Sequence, residues 1–160
     1  MDELTRIFDG FGAEMSSRLG KQVRRGMLAR AKRGLPIGMV PTGYRKWGRK
    51  IRTVEPTATH IANAFRRIDL DGVSVRTAWR LAIADGMLGR GGRSVSVSAF
   101  QLIIKNPFYA GLVKFGDELY QGTHEPLVSE EVFRRVQSKI GARPAARILP
   151  ATDISGAVFD

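Results

Sequence analysis

The stretch Asn106-Pro107-Phe108-Tyr109-Ala110-Gly111-Leu112-Val113 follows an apolar run, Phe100-Gln101-Leu102-Ile103-Ile104-Lys105, and precedes a polar turn at Gly116-Asp117. Pro107 disfavours helical geometry at the residue before it, so the run reads as a helix that ends at Asn106. Gly111 frees the backbone for the start of a strand. The two aromatics between them are placed to lock this helix-to-strand joint to a core. A chain built around such a joint is mixed in class, and everything on either side of it fits an α+β fold that is mainly helical.

Towards the C-terminus, Gly111-Leu-Val-Lys-Phe and Glu118-Leu-Tyr-Gln flank Gly116-Asp117, the pattern of a short hairpin. Ser129 is placed to cap a last helix whose dipole suits Glu130 and Glu131 and whose buried stripe is Val132, Phe133, Val136 and Ile140. Gly141 ends it. Residues 143–160 show no period and read as a loose tail.

Towards the N-terminus, Ser96 caps the helix that holds the apolar run, with Val95 and Phe100 spaced as a hydrophobic staple. Phe100, Ile103 and Ile104 face inward, leaving Ser98, Gln101 and Lys105 outward. A Gly/Arg loop, Gly89-Arg90-Gly91-Gly92-Arg93, separates it from two further amphipathic helices. One carries Ile61, Ala64, Phe65 and Ile68 at i, i+3, i+4, i+7. The other, capped by Ser74, carries Val75, Ala78, Trp79 and Ala82 and stops near Asp85-Gly86. The tight turn at Asp71-Gly72-Val73 joins them as in a helix-turn-helix. Before them, Tyr44-Arg-Lys-Trp, Gly48-Arg49 and Lys50-Ile-Arg-Thr-Val read as a second hairpin, and Pro56 suits the first turn of the next helix. The Pro/Gly-rich residues 34–44 cannot continue a helix. Residues 3–33 read as one long helix with stripes Leu4, Ile7, Phe8, Phe11 and Leu19, Val23, Met27, Ala31. Its glycines each weaken it, so it either breaks near Gly10 to Gly12 or depends on packing.

The 160 residues carry 26 Lys and Arg against 15 Asp and Glu, a formal charge of +11, and a hydrophobic fraction of 43%. The hydrophobic fraction is enough for a core, and the charge favours a polyanionic partner. The charge is also concentrated: Arg18 to Arg52 holds twelve Lys or Arg and no acid. Cysteine is absent, which removes thiol catalysis and Cys-based zinc sites and fits a reducing compartment. No apolar run reaches the roughly 18 residues of a membrane span. The acidic, amphipathic start is no signal peptide, so a cytoplasmic, nucleoid-associated protein is expected. His60 and His124 lack the companions of a metal site, and His124 reads as a packing and hydrogen-bonding residue. No P-loop, dinucleotide fingerprint or nucleophile elbow is present, so neither cofactor nor catalytic residue is expected.

Nucleic-acid binding is the reading that remains. Arg24, Arg25, Arg30, Lys32 and Arg33 on the first helix and Arg45 and Lys46 on the hairpin would meet phosphates, and Arg90 and Arg93 suit a narrow minor groove. Arg76, Thr77 and Arg80 on one helix, or Ser98, Gln101 and Lys105 on the next, would face bases, and the sequence does not choose between them.

The order of pieces is itself informative. Pro41-Thr-Gly-Tyr-Arg, Ile61-Ala-Asn-Ala-Phe-Arg-Arg-Ile, Phe100-Gln-Leu-Ile-Ile-Lys-Asn-Pro-Phe-Tyr-Ala-Gly, Gly116-Asp-Glu-Leu-Tyr-Gln-Gly-Thr-His-Glu-Pro-Leu-Val-Ser and Arg134-Arg-Val-Gln follow one another. Over residues 14–141 this resembles the recombinase domain of the large serine recombinases, the phage integrases and mobile-element transposases of bacteria. Val95 stands where that family often has tryptophan, and Ala82 where it often has asparagine. The resemblance implies a linker helix at 1–34, a DNA-binding domain at 35–142 and a tail at 143–160 that leads towards a zinc ribbon. It also implies a catalytic serine domain upstream, and these 160 residues hold neither a Tyr-x-Arg-x-Ser motif nor cysteine ligands. The chain on its own is therefore expected to bind double-stranded DNA without cutting it, as an excised domain or a truncated gene product. A homodimer through the N-terminal helix is the other expected partner. The competing readings are a basic helix-turn-helix regulator or RNA-associated protein, and a protein-interaction module.

Overall fold

The computed structural model describes residues 3–142 and 147–151, with side chains from residue 13 onward. The elements run α1 (Glu3–Lys32), β1 (Tyr44–Trp47), β2 (Lys50–Thr53), α2 (Thr57–Leu70), α3 (Val75–Ala84), α4 (Val97–Lys105), β3 (Leu112–Phe115), β4 (Glu118–Gln121), α5 (Glu130–Lys139) and β5 (Ile148–Leu149). The class is α+β and mainly helical, as the sequence indicates.

Local chemistry sets the boundaries. Ser74, Ser96 and Ser129 each accept a hydrogen bond from the backbone N–H three residues on, at 3.1, 3.2 and 3.2 Å. Each satisfies a donor that the first turn of its helix leaves free. α4 ends at Asn106, whose ψ of 114° is extended, and Asn106 Oδ1 accepts from Phe108 N at 3.0 Å. A single 3-10 turn over Pro107–Ala110 then stops at Gly111, whose φ of +80° is left-handed. Val95 and Phe100 are both buried, as a staple requires.

α2, α3, α4 and α5 enclose the core through Ile61, Phe65, Ile68, Ala78, Ala82, Phe100, Ile104, Phe133 and Val136, all at most 4% exposed. Tyr109 is fully buried at its centre; its carbonyl accepts from Leu127 N and Val128 N and its hydroxyl donates to Thr42 O at 2.6 Å. One residue of the joint thus ties the segment after α1, the core and the approach to α5 together. β1 and β2 form a two-stranded antiparallel hairpin with Trp47 opposite Lys50. β3 and β4 pair antiparallel, and β5 adds a parallel strand with Leu119 opposite Ile148. Where the sequence predicts no regular structure after residue 142, Ile148 and Leu149 find one because β4 offers them a free edge. The rest of the tail, 143–146 and 152–160, lies outside the described residues.

α1 is continuous through Gly10 and Gly12, so of the two alternatives the unbroken helix is the one observed. The stripe Leu19, Val23, Met27, Ala31 buries progressively: the four residues are 63, 48, 40 and 0% exposed. Among the described residues, the C-terminal part of α1 rests on β3 and β4. The side chains of Leu4, Ile7, Phe8 and Phe11 lie outside the described residues. Past Lys32 the chain turns at Gly34, whose carbonyl accepts from Thr123 N at 3.0 Å. A Cβ on Gly34 would lie 2.5 Å from Gln121 O, so only glycine allows this approach.

Candidate nucleic-acid interface

At 100° per residue, Arg18, Lys21, Arg25 and Lys32 fall within an arc of roughly 60° on α1, along roughly 21 Å of its axis. All four are exposed. Arg18 and Lys21 extend the basic face beyond the residues expected from the sequence. Their signal was present there, since i, i+3, i+7, i+14 is a helical spacing. Arg33 is exposed nearby. Arg24 and Arg30 are partly engaged with the protein itself. The Arg24 guanidinium lies 5.6 Å from the centre of the Phe115 ring, a cation–π contact with the tip of β3. Arg30 Nε donates to Pro36 O at 3.1 Å.

That last bond belongs to a set. Lys46 Nζ donates to Gly38 O at 3.0 Å, and Arg90 Nη2 donates to Val40 O at 2.5 Å, with Nη1 3.6 Å from Met39 Sδ. Cations from α1, β1 and the Gly/Arg loop thus converge on alternate carbonyls of residues 36–40. Backbone carbonyls in an irregular segment have no ladder partners, and charged donors satisfy them well. The arm between α1 and β1 is therefore held by side chains that the sequence assigns to DNA contact, and each of the three residues remains exposed.

The hairpin adds Arg45, Arg49, Lys50 and Arg52, all exposed, with the Arg52 guanidinium 5.6 Å from the centre of the Trp47 ring. Between the hairpin and residues 86–92 lies an open cavity of about 660 Å³, bordered by Arg45, Lys46, Arg90, Gly91 and Gly92. Gly91 and Gly92 have φ of +69° and +72°, a left-handed path that brings Arg93 out to solvent just before α4. Arg76, Thr77 and Arg80 are exposed on α3, and Ser98, Gln101 and Lys105 on α4. The structure thus brings Arg30, Lys46 and Arg90 together around one arm, with Arg45 and Arg93 beside them.

Several acidic groups are tied up in ion pairs within the fold. Asp69, near the end of α2, is buried and takes a two-pronged contact from Arg135, Nε to Oδ1 at 2.9 Å and Nη2 to Oδ2 at 2.7 Å. Lys139 Nζ donates to the Asp69 carbonyl and lies 3.7 Å from Oδ1. The hydrogen bond from Arg135 holds the Asp69 carboxyl below its usual range. Arg67 pairs with Asp85, and Arg134 with Glu130. Arg135 is therefore a framework residue. Nothing in the sequence links residues 66 positions apart, so this pairing was not legible there.

His124 is the packing residue its setting indicates. Its ring stacks on Phe108 with centroids 3.6 Å apart and planes 8° from parallel, and Nε2 donates to Phe108 O at 2.6 Å. Nδ1 is buried with no partner, and burial pushes the imidazole below its ordinary pKa. Among the described residues, no helix is long and apolar enough to cross a membrane.

Comparison with known proteins gives a family and a fold. The sequence model of the family described as Recombinase matches residues 55–143, more than half of the chain. Two solved structures share the fold. One is described as the crystal structure of an LSR–DNA complex, with a TM-score of 0.63 and 22% identity over 75% of this chain and 39% of that one. The other, from a study of the sequence requirements of the Listeria innocua prophage attP site, has a TM-score of 0.63 and 22% identity over 75% of this chain and 51% of that one. The chain thus spans about two fifths and about half of their lengths. No curated protein sequence matches.

Proposed function

The chain belongs to the Recombinase family, and on that footing we propose that it is the double-stranded-DNA-binding module of a site-specific serine recombinase. In this reading it holds a catalytic domain on an attachment site for integration or excision and does not itself cut. The observation that carries the reading is the segregation of charge. Twelve Lys or Arg and no acid lie between Arg18 and Arg52, and four of the cations share one exposed face of α1. Duplex DNA presents about one negative charge per 1.7 Å of axis, so a face roughly 21 Å long has several phosphates in reach. α1 then lies over the backbone and minor groove, and the helical core docks in the adjacent major groove. Solved structures of the same fold described with DNA and with an attachment site support this assignment.

The test is a fluorescence-anisotropy titration against several unrelated duplexes at a series of salt concentrations. Binding should weaken steeply with salt. The double variant Arg18→Ala/Arg25→Ala should weaken every duplex alike and reduce the log–log salt slope by about 0.9 for each phosphate it no longer neutralises. Absence of binding to any duplex at low salt would refute the proposal. A second contact is also proposed, pairing of α1 with another copy, because Leu19 and Val23 leave 63% and 48% of their surface open. Sedimentation of the full chain and of the variant Leu19→Ser/Val23→Ser measures it: a dimeric mass lost in the variant supports the pairing, and a monomeric mass for the full chain removes it.

A further inference from the structure

We infer that the outward face of the β1–β2 hairpin is a stacking platform for an unpaired nucleobase, with Trp47 beneath the base and Arg45, Lys50 and Arg52 on the flanking phosphates. The ligand is a single-stranded segment rather than an intact duplex, so the inference does not rest on the proposal above. Alternate side chains of a strand share one face. The register sets Arg45 opposite Arg52 and Trp47 opposite Lys50, which puts these four residues together on one side of the hairpin. All four are exposed, Trp47 at 64%. Tyr44, Ile51 and Thr53 lie on the other side and are buried or half-buried, so that side turns towards the protein. The four outward positions span roughly 7 Å along the strands and 5 Å across them, the footprint of one base.

Two features of this face are unfavourable in the protein alone. Arg45 and Arg52 stand directly opposite each other, where like charges repel. Among the described residues neither they nor Lys50 enters an ion pair, and residues 44–53 contain no Asp or Glu. Trp47 also leaves most of a large indole in water, with the Arg52 guanidinium 5.6 Å from its ring centre. The other tryptophan, Trp79, is half-buried and donates from Nε1 to Val95 O at 2.8 Å. A ligand that answers both features carries negative charge at its edges and a flat π-face at its centre. A nucleotide in a single strand has both, and stacking on an aromatic side chain is tolerant of which base it is. An intact duplex answers only the charge, because its bases already stack on one another. An exposed cation–π contact is weaker than base stacking, so the base displaces Arg52 or takes the opposite face of the indole.

The experiment titrates the full chain with end-labelled oligothymidylate, which forms no internal pairs, and separately with a duplex, at one fixed salt concentration. Trp47→Ala should weaken the single strand by at least about fivefold, the lower end of what one stacked base contributes, and leave duplex affinity unchanged. Trp47→Phe should recover part of the loss. Quenching of tryptophan emission should accompany single-strand binding in the wild type and vanish in Trp47→Phe. Equal losses on both ligands in Trp47→Ala, or no loss on the single strand, would overturn the inference. So would a wild type that binds duplex and no single strand, which leaves the duplex proposal standing. Single-strand binding with no duplex binding would do the reverse. A tryptophan among cations also suits an anionic membrane surface. A change in Trp47 emission with mixed phosphatidylserine and phosphatidylcholine vesicles, and none with the oligomer, would overturn the inference in favour of that surface. Trp47 is exposed, and a melt of each variant confirms that it folds.

Discussion

Lowering the pH from 7.5 to 5.5 should cost this protein stability through one side chain, His124. Its Nε2–H is used by Phe108 O, and its Nδ1 faces the backbone of Gly122 with no acceptor. A second proton would place a donor, and a charge, where nothing receives either. The folded state therefore resists protonation, and the imidazole pKa is depressed by burial. The unfolded chain takes the proton at the ordinary value of about 6.5. Because the unfolded state binds more protons below that value, stability is full above it and falls as the pH drops through it. If the folded ring stays neutral, the loss at pH 5.5 is RT ln 11, about 1.4 kcal/mol, which is the ceiling. The assay is urea unfolding followed by far-UV circular dichroism at both pH values and constant ionic strength, for the wild type and for His124→Gln. Glutamine keeps a donor near Nε2 but cannot titrate. The wild type should lose more than the variant by up to that amount. Equal losses in the two proteins would show that the ring is protonated as easily folded as unfolded, and the account of its environment would be wrong.

Three further outcomes are expected from single substitutions. Tyr109→Phe removes the donor to Thr42 O inside the core and should destabilise by about 1–3 kcal/mol in urea melts, the cost of an unmet buried acceptor. Gly34→Ala places a Cβ 2.5 Å from Gln121 O at a φ of +70°, so it should cost more than about 1 kcal/mol. Asp69→Asn should lower the melting temperature at pH 7 but converge with the wild type in strong acid. The depressed Asp69 carboxyl contributes stability above its ordinary range of about 3.9, and this is lost as the pH falls through the folded value.

Much of the scaffold was legible because it is written in local chemistry. Serine caps three residues before a donor, apolar residues at helical spacing, and a proline after Asn106 all act within one turn, and each element they define is present. The hairpin strands Tyr44–Trp47 and Lys50–Thr53 begin where the sequence places them, and the second stops one residue short of Val54. What escaped depends on distance along the chain. The Asp69–Arg135 pair and the Gln137 donor to Ile104 O join segments 66 and 33 residues apart. β5 is two residues long and exists only because β4 has an open edge. The exposed stripe of α1 was misleading in the other direction, since periodicity reports which residues share a face and not whether anything covers it. For the interface, the cations were visible as a run. That Arg30, Lys46 and Arg90 each hold a carbonyl of one arm was not, because such bonds follow from the folded path of the arm.

That arm gives the molecule a mechanical property. α1 is 30 residues long, roughly 45 Å, and among the described residues it meets the core through its C-terminal part and the turn at Gly34. It is a lever with its fulcrum at one end. A tilt of about 5° at Gly34 would sweep the far tip by roughly 4 Å on that length. The fit of Gly34 against Gln121 and the three cationic clips on residues 36–40 therefore fix the aim of the lever as well as the fold of the arm. Any body attached near the start of α1 has its distance from the core set by contacts a whole helix away. Phosphates drawn to Arg30, Lys46 or Arg90 would act at the pivot, where the smallest displacement has the largest reach.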